Sequence, residues 1–374
     1  AGEGILLVSD TDNGNSDVAT FSGNVGSTYS LASVTLGVVN SVAGSATFSS
    51  NLAATTITAF SGDHAGDDST LTVTGTTTAT SVLLTATTGN LDADVVGTFT
   101  GDVVSPTIHL TTGTNTGGNQ ADVTANFGGD VTASTLFKFT AGTHANNGVA
   151  TIVTNGTGDQ TITGAITTAT QTEGHITNSN TGGTVTFASN IGATSKEIGT
   201  ITTATSTKTV FDGIVFAGKG TLDGTVTINK AFKLESDGDG DGVLTLANNT
   251  VLKVGNGFAS GATVIVSEGA IVDNTATIHM PSDLDDGENL VVITAGSALN
   301  GTYTAVDNGL FTYAEAIANA TTLTVTATKR SAAAVATNLG VTENAGNAFY
   351  QATRAADGDA ALSLLISNTL NAGG

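Results

Sequence analysis

One short phrase returns along the chain at a spacing that few folds accommodate. It reads TFSGNV at Thr20–Val25, TFSSNL at Thr47–Leu52, TFTGDV at Thr98–Val103, NFGGDV at Asn126–Val131, TFASNI at Thr186–Ile191 and VFDGIV at Val210–Val215. Its Phe residues fall at 21, 48, 99, 127, 187 and 211, separated by 27, 51, 28, 60 and 24 residues. These separations resemble one or two units of roughly 24–30 residues, a period that belongs to solenoids rather than to closed domains. AFSGDH at Ala59–His64 is a further copy, out of phase.

Local chemistry selects the kind of solenoid. Leu71-Thr72-Val73-Thr74, Thr161-Ile162-Thr163 and Val226-Thr227-Ile228 alternate apolar residues with Thr at period 2, the pattern of a half-buried strand. The helical spacing i, i+3, i+4, i+7 is scarce before residue 331. Gly-Asn and Gly-Asp after the Phe suit corners, because these residues tolerate positive φ. Three short strands and three corners fit one unit. The expectation is an all-β, right-handed parallel β-helix (β-solenoid) in which Phe, Val, Ile and Leu stack inward. Multiple antiparallel β-sandwich domains are the alternative, since they also use short strands and Gly-rich turns.

Composition agrees. Only 5% of the 374 residues are aromatic and 48 are Gly, so the core must be a narrow wall of β-branched residues rather than a thick centre. The same Gly-, Thr- and Asn-rich content would fit disorder, but the β-branched residues recur in strand-length groups. Residues 1–246 read as irregular solenoid repeats and 247–330 as a more regular β-helical segment. Residues 331–374 read as an Ala-rich helical tail or cap, broken at Asp357-Gly358-Asp359.

The formal charge is −22, and no Lys or Arg precedes Lys138. Such a surface repels phosphate backbones and anionic lipid, which argues against nucleic-acid binding. Lys196, Lys208, Lys219 and Lys230 make 184–230 the most basic stretch and a candidate contact for an acidic neighbour. The absence of Cys excludes disulfides and thiol chemistry. No apolar run reaches the roughly 18 residues of a membrane helix. The start at Ala1-Gly2-Glu3 is what signal-peptide removal leaves, and an arbitrary chain boundary would explain it as well.

These phrases, and above all the 184–230 stretch, resemble the passenger region of a type V bacterial autotransporter, particularly Gly/Thr/Asn-rich alphaproteobacterial surface antigens. Ala247–Arg330 resembles the ordered β-helical segment near the end of such passengers, and NLGVTENAGNAFYQATRAADGDAALSLLISNTLN resembles the helical segment before their membrane barrel. The barrel itself has no counterpart in these 374 residues. The resemblance implies an extracellular or outer-surface structural protein acting as an adhesin, surface-layer component or filament subunit. Its partners would be further copies of itself, or a host or neighbouring cell surface.

Candidate chemistry is sparse. Asp237, Asp239 and Asp241, alternating with Gly, place carboxylates at i, i+2 and i+4 as a Ca²⁺-binding turn would. Position 12 counted from Asp237 is Asn248 rather than Glu, which argues against an EF-hand. Asp283, Asp285, Asp286 and Glu288 form a second acidic group, and Asp63, Asp67 and Asp68 a third. His64, His109, His144, His175 and His279 lie far apart in sequence. A polysaccharide-active enzyme on the same scaffold and a Ca²⁺-dependent surface-array protein of sandwich domains are the rival functions. The first is disfavoured by two Arg, four Tyr and no Trp. The expectation is a non-enzyme. Open solenoid ends expose strand edges, so the first 20 residues and the helical tail are candidate caps, and Ile5–Val8 is a candidate assembly strand.

Overall fold

The computed structural model describes residues 3–10, 17–39, 41–64, 66–86, 93–113, 121–141, 148–236, 241–269, 271–273, 275–281 and 283–355. It is a β-solenoid of parallel stacked strands with two short helices near its C-terminal end. Parallel, non-consecutive pairing rules out the antiparallel sandwiches. The chain divides into two units, Ala1–Gly220 and Thr221–Gly374.

In the first unit each coil lays one strand on the coil before it. One wall stacks Val18–Phe21, Ser45–Phe48, Ser69–Val73, Val95–Phe99, Val123–Phe127, Ala150–Thr154, Glu173–Asn178 and Ile198–Thr203, all parallel and in register. The coils that start at Val95, Val123 and Ala150 each carry three strands, as in Val95–Phe99, Val103–Val104 and Thr107–Thr111. The next coil repeats them as Val123–Phe127, Val131–Thr132 and Leu136–Thr140. Alternate residues face inward, and Phe48, Val73, Phe99 and Phe127 form one buried column in that wall. The Phe21–Phe48 and Phe99–Phe127 rings stack at centroid separations of 4.8 and 5.5 Å.

The recurring phrase does not keep to one wall. After Phe127 the column continues through Thr154, Asn178 and Thr203, which are buried and polar. Phe187 and Phe211 instead extend the column Val103, Val131, Ile162 in the neighbouring wall, and their rings stack at 5.5 Å. The 60-residue gap between Phe127 and Phe187 is therefore a change of wall and not two plain repeats.

Corner chemistry also departs from expectation. Gly101 and Gly129 do not have positive φ, and neither do Asn24, Asn51, Asp102 or Asp130. A Cβ on Gly101 would stand 2.7 Å from the Gly75 carbonyl carbon, and one on Gly129 would stand 2.7 Å from that of Gly101. These glycines are required because one corner sits directly on the last.

The second unit stacks Thr225–Ile228, Thr250–Val254, Thr275–His279 and Thr302–Val306, with Val226, Leu252, Ile278 and Ala305 buried in one column. A second wall stacks Phe232–Leu234, Thr263–Ser267 and Asn289–Ala295. Pairing then turns antiparallel. Thr322–Lys329 lies against Asn289–Ala295 and forms a hairpin with Phe311–Ala318, so this wall ends in a hairpin rather than another coil. Helix α1 (Ala332–Leu339) follows, with the Ser331 hydroxyl accepting the Ala334 amide and Gly340 closing it at φ 66°. Helix α2 (Glu343–Ala355) packs on α1. The expected break at Asp357–Asp359 and everything after it lie outside the described residues.

Removing an inward ring leaves a cavity that the coils above and below cannot close. Phe127→Ala should lower the unfolding free energy by about 3–5 kcal/mol, read by equilibrium denaturation. A loss below about 1 kcal/mol would show that the column is not close-packed.

Candidate functional site: stacked corners and the first described coil

Asp and Asn at the corners bind one coil to the next. In one corner column Asn24 Oδ1 accepts the Asn51 amide at 3.2 Å, and Asn51 Oδ1 accepts that of Thr76 at 2.9 Å. The same column continues as Asp102 Oδ1 accepts the Asp130 amide at 2.9 Å and Asp130 Oδ1 that of Thr161 at 2.7 Å. In a second column the carboxylates of Asp68, Asp94 and Asp122 accept the amides of Asp94, Asp122 and Val149 at 2.8, 2.8 and 2.7 Å. A carboxylate accepting a backbone N–H satisfies a donor that a corner would otherwise leave to water. Much of the negative charge of this half is thus placed by the fold.

A buried polar cluster marks where the Phe column ends. Asn178 accepts from the Thr154 hydroxyl at 3.1 Å and donates to Thr209 Oγ1 at 2.7 Å. Asn180 donates to Gln160 Oε1 at 2.7 Å, and Gln160 donates to the Phe127 carbonyl at 2.8 Å. Every member is hydrogen-bonded, so the cluster fixes one packing of these coils instead of offering a reactive group. No sequence signal marked it, because Thr, Asn and Gln here look like surface residues.

The acidic groups fall into different surroundings. Asp237 and Asp239 lie outside the described residues. Asp241 is buried, directly before Gly242 at φ 74°. One described carboxylate is far short of the six to eight oxygens of a Ca²⁺ shell, so the Ca²⁺ reading rests on spacing in the sequence. Of the other two groups, Asp283, Asp286 and Glu288 accept the amides of Gly257, Lys329 and Asp285 at 2.7, 2.8 and 2.7 Å. Asp63, His64 and Asp67 bring one ligand atom each within 4.8 Å of one another, with His64 Nδ1 2.7 Å from Asp63 Oδ1 and 3.5 Å from Asp67 Oδ2. That mixed imidazole and carboxylate set suits a transition metal better than Ca²⁺. Asp68 belongs to the corner column instead.

The other described histidines are lattice members. His109 sits in register with Lys138, and its Nε2 is 2.9 Å from Thr140 Oγ1. Burial, and then the neighbouring Lys138, hold its pKa below the ordinary value. His175 is lowered by burial, with Asp122 opposing and Lys219 adding to the effect, and His279 by burial and then Lys253. His144 lies outside the described residues.

Among the described residues Ile5–Val8 and Val18–Phe21 each pair with the next coil along one edge. Leu6 and Val8 register with buried Val34 and Leu36, while Ile5 and Leu7 are 76% and 55% exposed. Val18 and Tyr29 are 54% and 79% exposed. Ile5–Val8 and Val18–Phe21 are therefore ordinary rungs of the two walls, and residues 11–16, part of the expected cap, lie outside the described residues. In the second unit a cleft of about 410 Å³ is lined by Asp286, Lys329, Arg330, Ser331, Val335 and Asn347. Arg330 is held by Asp307 Oδ2 at 2.9 Å and the Asn308 carbonyl at 3.0 Å.

Among the described residues no helix is long and apolar enough to cross a membrane. No protein-family model and no curated protein sequence matches the chain.

Two expectations follow. Asp122→Asn keeps the acceptor and relieves a column of like charges, so its melting temperature should equal or exceed that of the wild type. Asp122→Ala should lose about 1–2 kcal/mol. If Asn were as damaging as Ala, the charge itself, and hence a bound cation, would be what the corner needs. The lowered histidine pKa values mean that the unfolded chain binds more protons, so stability is full above about pH 6.5 and falls as pH drops through the folded values. Melting between pH 7 and pH 5 should therefore depend less on pH in the triple variant His109→Gln, His175→Gln, His279→Gln. An unchanged slope would contradict this assignment.

Proposed function

We propose that the chain is an extracellular bacterial structural protein, an autotransporter-like passenger that works by self-association as a filament or surface-layer subunit and presents its walls to neighbouring surfaces as an adhesin does. The observation that supports the reading is the stacking of parallel, in-register coils, on whose first described strands Ile5, Leu7 and Val18 are exposed. Natural sheets blunt exposed edges with Lys, Pro or a covering element; Ile5–Val8 contains neither Lys nor Pro, and among the described residues it pairs along one edge, with Leu31–Leu36. A second copy supplies a strand that satisfies this edge. Exposed Glu3 and Asp17 flank it, so another acidic copy approaches more readily when salt screens the charge.

Light scattering and negative-stain microscopy test the reading. The wild type should form concentration-dependent assemblies that grow from low to high salt, and Ile5→Lys with Leu7→Lys should remain monomeric at the same melting temperature. A wild type that stays monomeric at high concentration and high salt, or a double variant that assembles equally well, would overturn it.

A further inference from the structure

The outer surface of the first unit's main wall carries two straight columns of side chains. One runs Thr20, Thr47, Thr72, Thr98, Asn126, Val153, Thr177, Thr202, and the other Thr70, Val96, Thr124, Thr151, His175, Thr200. Most are half-buried, so part of each side chain stays at the surface. Neighbours within a column are spaced by about 4.8 Å, the separation of paired strands, and the two columns stand roughly 6.6 Å apart, two residues along a strand. Threonine is β-branched and stiff at χ1, so the hydroxyls and methyls are held in a fixed two-dimensional lattice.

Charge narrows what such a lattice fits. In a chain of formal charge −22 these columns contain no Asp, Glu, Lys or Arg, although the Asp68–Asp94–Asp122 corner runs beside them. Burial also keeps His175 toward its neutral form. A neutral, periodic surface matches a neutral, periodic partner better than it matches a polyanion or a polycation. Neither column carries Phe, Tyr or Trp, the usual platforms for sugars. The neutral partner that repeats at about these two distances and takes up hydroxyl and methyl groups together is the oxygen lattice of ice, whose prism face has rows at closely similar spacings.

We infer that this wall is an ice-binding surface, with the hydroxyls continuing the water lattice and the methyls seated between its rows. The inference does not depend on self-association.

The test uses the full chain in supercooled buffer, read by nanolitre osmometry and ice recrystallisation. The wild type should show thermal hysteresis, shape ice crystals and halt recrystallisation. Thr98→Tyr and Thr151→Tyr, at the centre of the columns, should raise the concentration needed by on the order of tenfold, the effect of blocking one central contact. Thr132→Tyr, an exposed position on another wall, should leave it unchanged. Circular dichroism and melting confirm that each variant is folded. No hysteresis and no recrystallisation inhibition by the folded wild type would overturn the inference, and so would equal loss in Thr132→Tyr and Thr98→Tyr. Retention on microcrystalline cellulose without any effect on ice would likewise overturn it.

Discussion

The contact of one corner with the corner beneath it is the constraint on which the first half of the molecule depends. Gly75, Gly101 and Gly129 leave no room for a Cβ, and the adjacent Asn51, Asp102 and Asp130 each accept an amide of the following coil. A coil that shifted by one residue would bring a side chain into the glycine gap and strip the amide of its acceptor. It would also turn every inward residue outward, because the side-chain period is two. Register is thus fixed at the corners, and the columns of Phe, Val, Ile and Thr follow from it.

Once register is fixed, each position along a strand becomes a column, and each column acquires one environment. Inward columns are apolar where Phe and Val stack and polar where Thr154, Asn178 and Thr203 replace them. Outward columns carry the surface properties of the whole wall, so a single preference for Thr is multiplied into a lattice. The corner columns concentrate carboxylates in the same way. Repetition turns weak local choices into extended surfaces.

Much of this was legible in the sequence. The period-2 Thr alternation and the 24–28-residue steps identified the solenoid, and the shift near residue 331 identified the helical end. The change of wall between Phe127 and Phe187 was not legible, because the phrase around each Phe looks the same whichever wall it enters. Corner glycines were read as turn formers, whereas their function is close approach; sequence shows a glycine but not which of its two freedoms is used. The buried Gln160–Asn178–Asn180 cluster was invisible for a similar reason, since only tertiary contact separates a buried amide from an exposed one. The Asp237–Asp241 turn stood out most in the sequence, and only Asp241 falls among the described residues.

The claim that ties these points together is that consecutive coils lie parallel and in register, with Thr98 directly over Asn126. The chain has no cysteine, so introduced pairs report on it without background. Cysteines at Thr98 and Asn126 should close an intramolecular disulfide on mild oxidation, because adjacent strands lie about 4.8 Å apart, within the reach of the bond. Cysteines at Thr98 and Val153, two coils apart, should not. Efficient bridging of the first pair alone is the expected result. Failure of that pair in the folded protein, or equal bridging of both, would contradict the stacking from which the account is built.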